Sequence, residues 1–117
     1  MTMATGAGLK VAKFGGTSVA DAAQILKVCT IVRMDPERRI VVVSAPGKRR
    51  ADDTKVTDLL IALAERTLAG GDGEAELKAV VARYADIQSA ARVAPAVVEE
   101  IEADLRRRLS ADRRHRG

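Results

Sequence analysis

Apolar residues fall along this chain in two rhythms. Short runs at residues 9–14 and 40–43 are nearly unbroken. The second, Ile40-Val41-Val42-Val43, is wholly β-branched and reads as a parallel strand buried on both faces. Between them, residues 21–34 repeat apolar positions at helical spacing: Ala22, Ile25, Leu26, Cys29 and Val32 form a stripe that Val28 and Ile31 widen. Asp21 stands where a helix N-cap is expected, and Asp35-Pro36 stops the helix. Strand, helix, strand in this length is a βαβ unit, so both strands end at one edge of a sheet. Three further helical patterns come next, at residues 57–69, 74–94 and 96–110, broken by Gly70-Gly71-Asp72-Gly73 and by Arg92 to Pro95. Thr57 is a suitable N-cap for the first of these. Residues 1–8 and 111–117 read as flexible tails around a body of residues 9–110.

Composition narrows the class. The chain has 117 residues, 47% hydrophobic and 31% charged, which suits one small globular domain. Phe14 and Tyr84 are the only aromatic residues, so there is no stacking platform for single-stranded nucleic acid. The net charge of +4 comes from the end of the chain, where residues 106–117 hold six arginines against one acid. The remainder is close to neutral, which argues against a nucleic-acid footprint on the body. No apolar run suits a membrane span, and no N-terminal segment reads as a signal peptide, so the expected location is cytoplasmic. Cys29 is the only cysteine and sits in a packing stripe. With one cysteine, no internal disulfide and no metal site is expected, and His115, among tail arginines with nothing to position it, is a poor catalytic candidate.

Candidate chemistry collects at the strand ends. Lys13-Phe14-Gly15-Gly16-Thr17-Ser18-Val19 sits where the first strand gives way to the first helix, a place where α/β proteins receive anions. Gly15 and Gly16 let the main chain approach a phosphate, and Lys13 can bring an ammonium to it. By pattern alone the same residues also suit a tight connection. Neither a Gly-Lys-Ser/Thr P-loop nor G-x-G-x-x-G is present. Ser44, ending the second strand, and Thr57, before the next helix, bring hydroxyls to the same edge; they also serve as a strand end and a cap. Lys48-Arg49-Arg50 either steers acidic ligands or is a solvated loop balanced by Asp52 and Asp53, with the second reading favoured.

The string from Lys13 to Val19 resembles the N-terminal signature of the aspartate kinases, within the amino acid kinase family. Residues 43–49 and 53–60 resemble that family's second motif. The resemblance implies an α/β fold, a partial three-layer αβα sandwich of the amino acid kinase type with a βαβ start and C-terminal helices. It implies transfer of the γ-phosphoryl of ATP, bound with Mg²⁺, to the side-chain carboxylate of L-aspartate, in the biosynthesis of lysine, threonine and methionine. Lys13 would be catalytic; Lys13, Phe14, Gly15, Gly16 and Ser18 would bind ATP; Ser44 and Thr57 would bind aspartate. The family's remaining catalytic residues and adenine pocket come later than residue 117. The expectation is therefore a truncated or frame-shifted reading of a longer gene, inactive alone, forming a homo-oligomer or associating with the missing kinase half. The alternatives are a non-catalytic partner of a complete aspartokinase, or an amino acid kinase acting on a related carboxylate such as glutamate.

Overall fold

The computed structural model describes the backbone of residues 2–4 and 8–116, and the side chains of residues 8–111. The chain divides into two compact units, Met1–Thr57 and Asp58–Gly117. The first unit holds β1 (Thr2–Ala4), β2 (Lys10–Phe14), a 3₁₀ helix (Gly16–Val19), α1 (Ala22–Arg33) and β3 (Arg38–Val43). Its sheet has the order β1-β2-β3, with β1 antiparallel and β3 parallel to β2. The βαβ unit is present as expected. In register, Ala12 stands beside Val41, Lys13 beside Val42 and Phe14 beside Val43.

The core of this unit forms because β2 alternates. Ala12 and Phe14 point to one face and are buried; Lys13, between them, is exposed on the other. Ile25, Val28 and Val32, spaced three and four apart on α1, pack with Val19 onto that buried face. Asp21 caps α1 by accepting the Gln24 N–H at 2.9 Å. The apolar stripe of the sequence is wider than the buried one: Leu26 and Ile31 face solvent, because the helix needs only its Ile25–Val28–Val32 line to cover so narrow a sheet.

Two expectations change here. Strand β3 is not buried on both faces; Ile40, Val41, Val42 and Val43 are each 41–57% exposed. The reason is topological, since among the described residues β3 is an edge strand with a hydrogen-bonded neighbour on one side alone. Residues 2–4, expected as tail, form a strand that pairs with β2 through Thr2–Ala12, Met3–Val11 and Ala4–Lys10. The far end of the sheet is tied by Lys10, whose ammonium donates to Asp35 at 2.6 Å and lies 3.6 Å from Glu37.

The second unit consists of most of α2 (Val56–Leu68), α3 (Glu74–Ala91) and α4 (Ala96–Arg116). Leu63, Thr67, Leu77, Val80 and Arg83 are buried. Arg92, with φ of 58°, caps α3 after Ala91, at the start of the expected Arg92-to-Pro95 break and three residues short of the expected helix end at Ala94, its N–H returning to Gln88 and Ser89 carbonyls. Helix α4 continues to Arg116, beyond the expected end at Ser110, and before that point its charged residues pair with acids along and across the helices. Arg106 bonds Glu102 one turn back and forks onto Glu74 of α3 at 2.6 and 3.1 Å, while Arg107 and Arg108 both pair with Asp104.

Candidate functional site

The parallel pairing of β2 and β3 brings the ends of both strands to one edge of the sheet, in the first unit. Three backbone hydrogen bonds lock the loops that leave these ends. Ser44 N–H donates to the Phe14 carbonyl at 3.1 Å, so the residue leaving β3 lies beside the residue leaving β2. Gly47 N–H donates to the Gly16 carbonyl at 2.8 Å, joining the second loop to the glycine turn. Val56 N–H donates to the Pro46 carbonyl at 2.9 Å, which fixes the start of α2 to the same loop. The glycine turn, Ser44 and the α2 start are thereby gathered into one neighbourhood, as the sequence patterns implied.

The strand does not pass directly into α1. The 3₁₀ helix lies between them, closed by Ser18 N–H donating to the Gly15 carbonyl at 3.1 Å. This changes the expected anion site. The α1 N-terminus is taken by the Asp21 carboxylate, which already satisfies an amide there and would repel a phosphate. The place that remains is the Gly15-Gly16 turn. Gly15 has φ of −74° and ψ of 176°, a backbone that any residue adopts, and a Cβ built there would meet nothing within 4 Å. Gly16 is different: a Cβ would come 3.2 Å from the Ala45 carbonyl and 3.3 Å from Gly47 Cα. Gly47 is tighter still, at 2.6 Å from the Gly16 carbonyl carbon. The turn thus has one face closed by the second loop and one face open at Gly15.

The remaining predicted site residues divide between surface and core. The Lys13 side chain is exposed, one residue before the strand end, on the sheet face opposite α1. The Phe14 side chain belongs to the core, leaving only its backbone to a ligand. Ser18 is half-buried in the 3₁₀ helix, and Ser44 is exposed. Thr57 is exposed but is not the cap, since α2 starts at Val56 and places it in the first turn. Among the described residues no group of three His, Cys, Asp or Glu could hold a metal ion.

The loop between Ser44 and α2 carries a contact that the sequence patterns do not reveal. Asp53 receives three hydrogen bonds from Arg49: backbone N–H to Oδ2 at 2.9 Å, Nε to Oδ2 at 2.7 Å and Nη2 to Oδ1 at 2.9 Å. The Arg49 side chain, then the Arg49 amide, holds the Asp53 carboxyl well below the usual carboxylate range. Arg50 and Asp52 pair at 2.9 Å but are both open to solvent, as a solvated loop predicts. No signal in the sequence separates the two pairs, because residues 48–55 carry no periodicity from which contacts could be read.

No family model matches the chain. It is 51% identical over 105 residues to aspartokinase 3 of Bacillus subtilis, a match covering 90% of this chain and 23% of that protein. A Haemophilus influenzae protein whose name marks it as an aspartokinase 3 thought to be inactive is 48% identical over 56 residues, 48% of this chain and 40% of its own. Among solved structures, the aspartate kinase of Clostridium acetobutylicum superposes with a TM-score of 0.71 at 34% identity, over 80% of this chain and 22% of that one. The chain thus spans about a quarter of the length of the Bacillus relative.

Proposed function

This chain belongs with the aspartokinases in sequence and in fold, and from that premise we propose that it supplies one wall of an ATP-dependent kinase site. The reaction moves the γ-phosphoryl of ATP to the side-chain carboxylate of L-aspartate and yields 4-phospho-L-aspartate, at the head of lysine, threonine and methionine biosynthesis in the cytoplasm. The observation that carries this reading is the open face at Gly15, at the carboxyl edge of two parallel strands, with Lys13 two residues before it.

The chemical difficulty is the meeting of two anions. Catalysis of such a transfer consists of alignment and charge neutralisation. Lys13 supplies a cation that can follow the transferred phosphoryl group. The Gly15-Gly16 main chain can approach phosphate oxygens where a side chain would intrude. Ser44 and the first turn of α2 with Thr57 stand on the neighbouring loop, where hydroxyls can orient the aspartate carboxylate. Mg²⁺, bound with ATP, spreads the charge of the phosphates.

The partner of this wall is the rest of the kinase. Strand β3 offers an uncharged run, Ile40 to Val43, along an edge that no described strand covers. That edge suits further strands of the same sheet, supplied by the three-quarters of the Bacillus relative's length that this chain does not span. The isolated chain is accordingly expected to release no ADP from ATP and aspartate.

The test is a chimera in which this chain replaces the matching segment of Bacillus subtilis aspartokinase 3. Aspartate-dependent ADP release is the expected result. Lys13→Ala should then lower kcat by about a hundredfold, the scale of losing one charge-stabilising donor, with little change in KM for aspartate. Gly15→Val should raise KM for ATP. A chimera that folds but is silent with aspartate, or near-normal turnover in Lys13→Ala, overturns the reading.

A further inference from the structure

Residues 44–55 form the longest stretch between elements in the first unit, at twelve residues with neither helix nor strand. Connections of a strand to a helix in α/β units are usually a few residues long, and a longer one must be tied internally or lose its shape. Here the Pro46 carbonyl takes the Val56 N–H at 2.9 Å, so residues 46–56 close into a ring. The same turn is fastened to the glycine turn by the Gly47 N–H on Gly16. Inside the ring, the Asp53 N–H reaches the Arg50 carbonyl at 3.1 Å, and the Asp53 carboxylate takes both arms of the Arg49 fork and the Arg49 amide. The Asp53 side chain is only 7% exposed. The Arg49 side chain is 29% exposed, but a bidentate pair whose carboxylate is nearly covered and also takes a main-chain N–H constrains geometry more than an open monodentate surface pair does.

We propose that Arg49 and Asp53 are a positioning pair, whose clasp keeps this ring closed and so sets where Thr57, in the first turn of α2, stands relative to the Gly15-Gly16 turn. Opening the clasp frees residues 48–55, loosens the Val56–Pro46 bond and lets the α2 start drift from the second loop. The consequence for aspartate rests on the kinase reading above; the structural part does not. The effect of the pair passes through Thr57, so it should fall on aspartate recognition and spare the nucleotide.

Two measurements decide it. In the 117-residue chain, native-state hydrogen exchange of Asp53→Ala should accelerate the Val56 amide by about tenfold while the amides of the β2–β3 ladder keep their rates. An unchanged Val56 amide, or equal acceleration throughout the ladder, overturns the clasp as a local device. In the Bacillus chimera, Arg49→Ala and Asp53→Ala should each raise KM for aspartate by about tenfold, the scale of a small misplacement of a binding group. Both kcat and KM for ATP should stay within about twofold. The double substitution should be no worse than either single one, and Asp53→Glu should recover part of the loss. Additive effects, or a fall in kcat equal to the rise in KM, overturn the positioning role. If the parent chimera does not turn over aspartate at all, the function reading falls, and the exchange experiment still decides the clasp.

Discussion

Gly47→Ala should be the most damaging single methyl group that can be added to the loops of this chain. The added Cβ would sit 2.6 Å from the Gly16 carbonyl carbon, 2.8 Å from its oxygen and 2.9 Å from the Thr17 nitrogen. All three are backbone atoms, so no side chain can swing aside. Non-bonded carbons rest at about 3.5 Å or more, so the two loops must part by about 1 Å. The Gly47 N–H···O Gly16 bond, now 2.8 Å, would then lie beyond useful hydrogen-bond length. Overpacking of this kind costs about 1–3 kcal/mol, and the lost hydrogen bond about 0.5–1.5 kcal/mol. The sum, about 1.5–4.5 kcal/mol, is a large part of the roughly 5–15 kcal/mol by which domains are usually stable. Gly16→Ala meets its neighbours at 3.2 and 3.3 Å, so they need give only a few tenths of an ångström and the cost should be below about 1 kcal/mol. Gly15→Ala meets nothing within 4 Å and should be neutral or stabilising by about 0.4–1 kcal/mol through the unfolded chain. Urea unfolding of the three variants, followed by circular dichroism with the m-value monitored, should order them Gly15, Gly16, Gly47 from most to least stable. A Gly47→Ala chain as stable as the parent at unchanged m would refute the loop packing. A Gly15→Ala chain that unfolds readily would refute the open face on which the nucleotide reading stands.

The same geometry carries other expected outcomes. Asp21→Ala removes the acceptor of the Gln24 amide and should lower stability by about 1 kcal/mol, with Asp21→Asn nearly harmless; the measurement is the shift in urea midpoint. Lowering the pH should leave stability flat until the carboxylate range. Asp53, held down chiefly by Arg49, and Asp35, held down chiefly by the Lys10 ammonium, both have folded pKa values below their ordinary 3.8. Their contributions are therefore complete above about pH 4 and are lost as the pH falls through the folded values, which an acid titration followed by circular dichroism would read. Lys10 runs the other way: Asp35 raises its pKa above 10.5, so its contribution is complete below that value and fades only in strong alkali. Ile40→Lys, in the half of β3 away from Ser44, should reduce self-association of the isolated chain in light scattering, yet destabilise the Bacillus chimera if further strands cover that edge.

The hydrophobic rhythm is enough to place the βαβ unit and the helices, because α1 obeys its spacing and its cap and short apolar runs mark the strands on either side of it. The rhythm misleads at β3. Four β-branched residues in a row describe a strand that wants burial, and no local pattern can say whether the neighbouring strand lies within the same 117 residues. Residues 2–4 escape notice for the opposite reason: Thr-Met-Ala is too short to carry a period, and its strand exists through pairing with β2. The end of α4 is hidden because residues 111–117 offer no apolar residue beyond Ala111 to carry a helical period, although the helix runs on to Arg116.

The candidate site shows the same division more sharply. Gly15, Gly16 and Gly47 look alike in the sequence, as turn glycines at the ends of two strands. Their backbones do not demand glycine through positive φ. What separates them is what each Cβ would strike. Gly47 and Gly16 are small because the two loops press on one another, a requirement of the fold alone. Gly15 is small where the fold imposes nothing, so any demand for glycine there must come from outside the chain. A ligand that approaches the main chain is such a demand, and on the proposed kinase reading a phosphate at the carboxyl edge of the parallel strands would meet it, with the exposed Lys13 side chain two residues earlier in β2. The two consequences are separable in one variant. Gly15→Val should leave the urea midpoint of the chain where it was and still raise KM for ATP in the chimera. A variant that lost stability and kept its nucleotide affinity would reverse the assignment, making Gly15 a structural glycine and leaving Lys13 without an anion to serve.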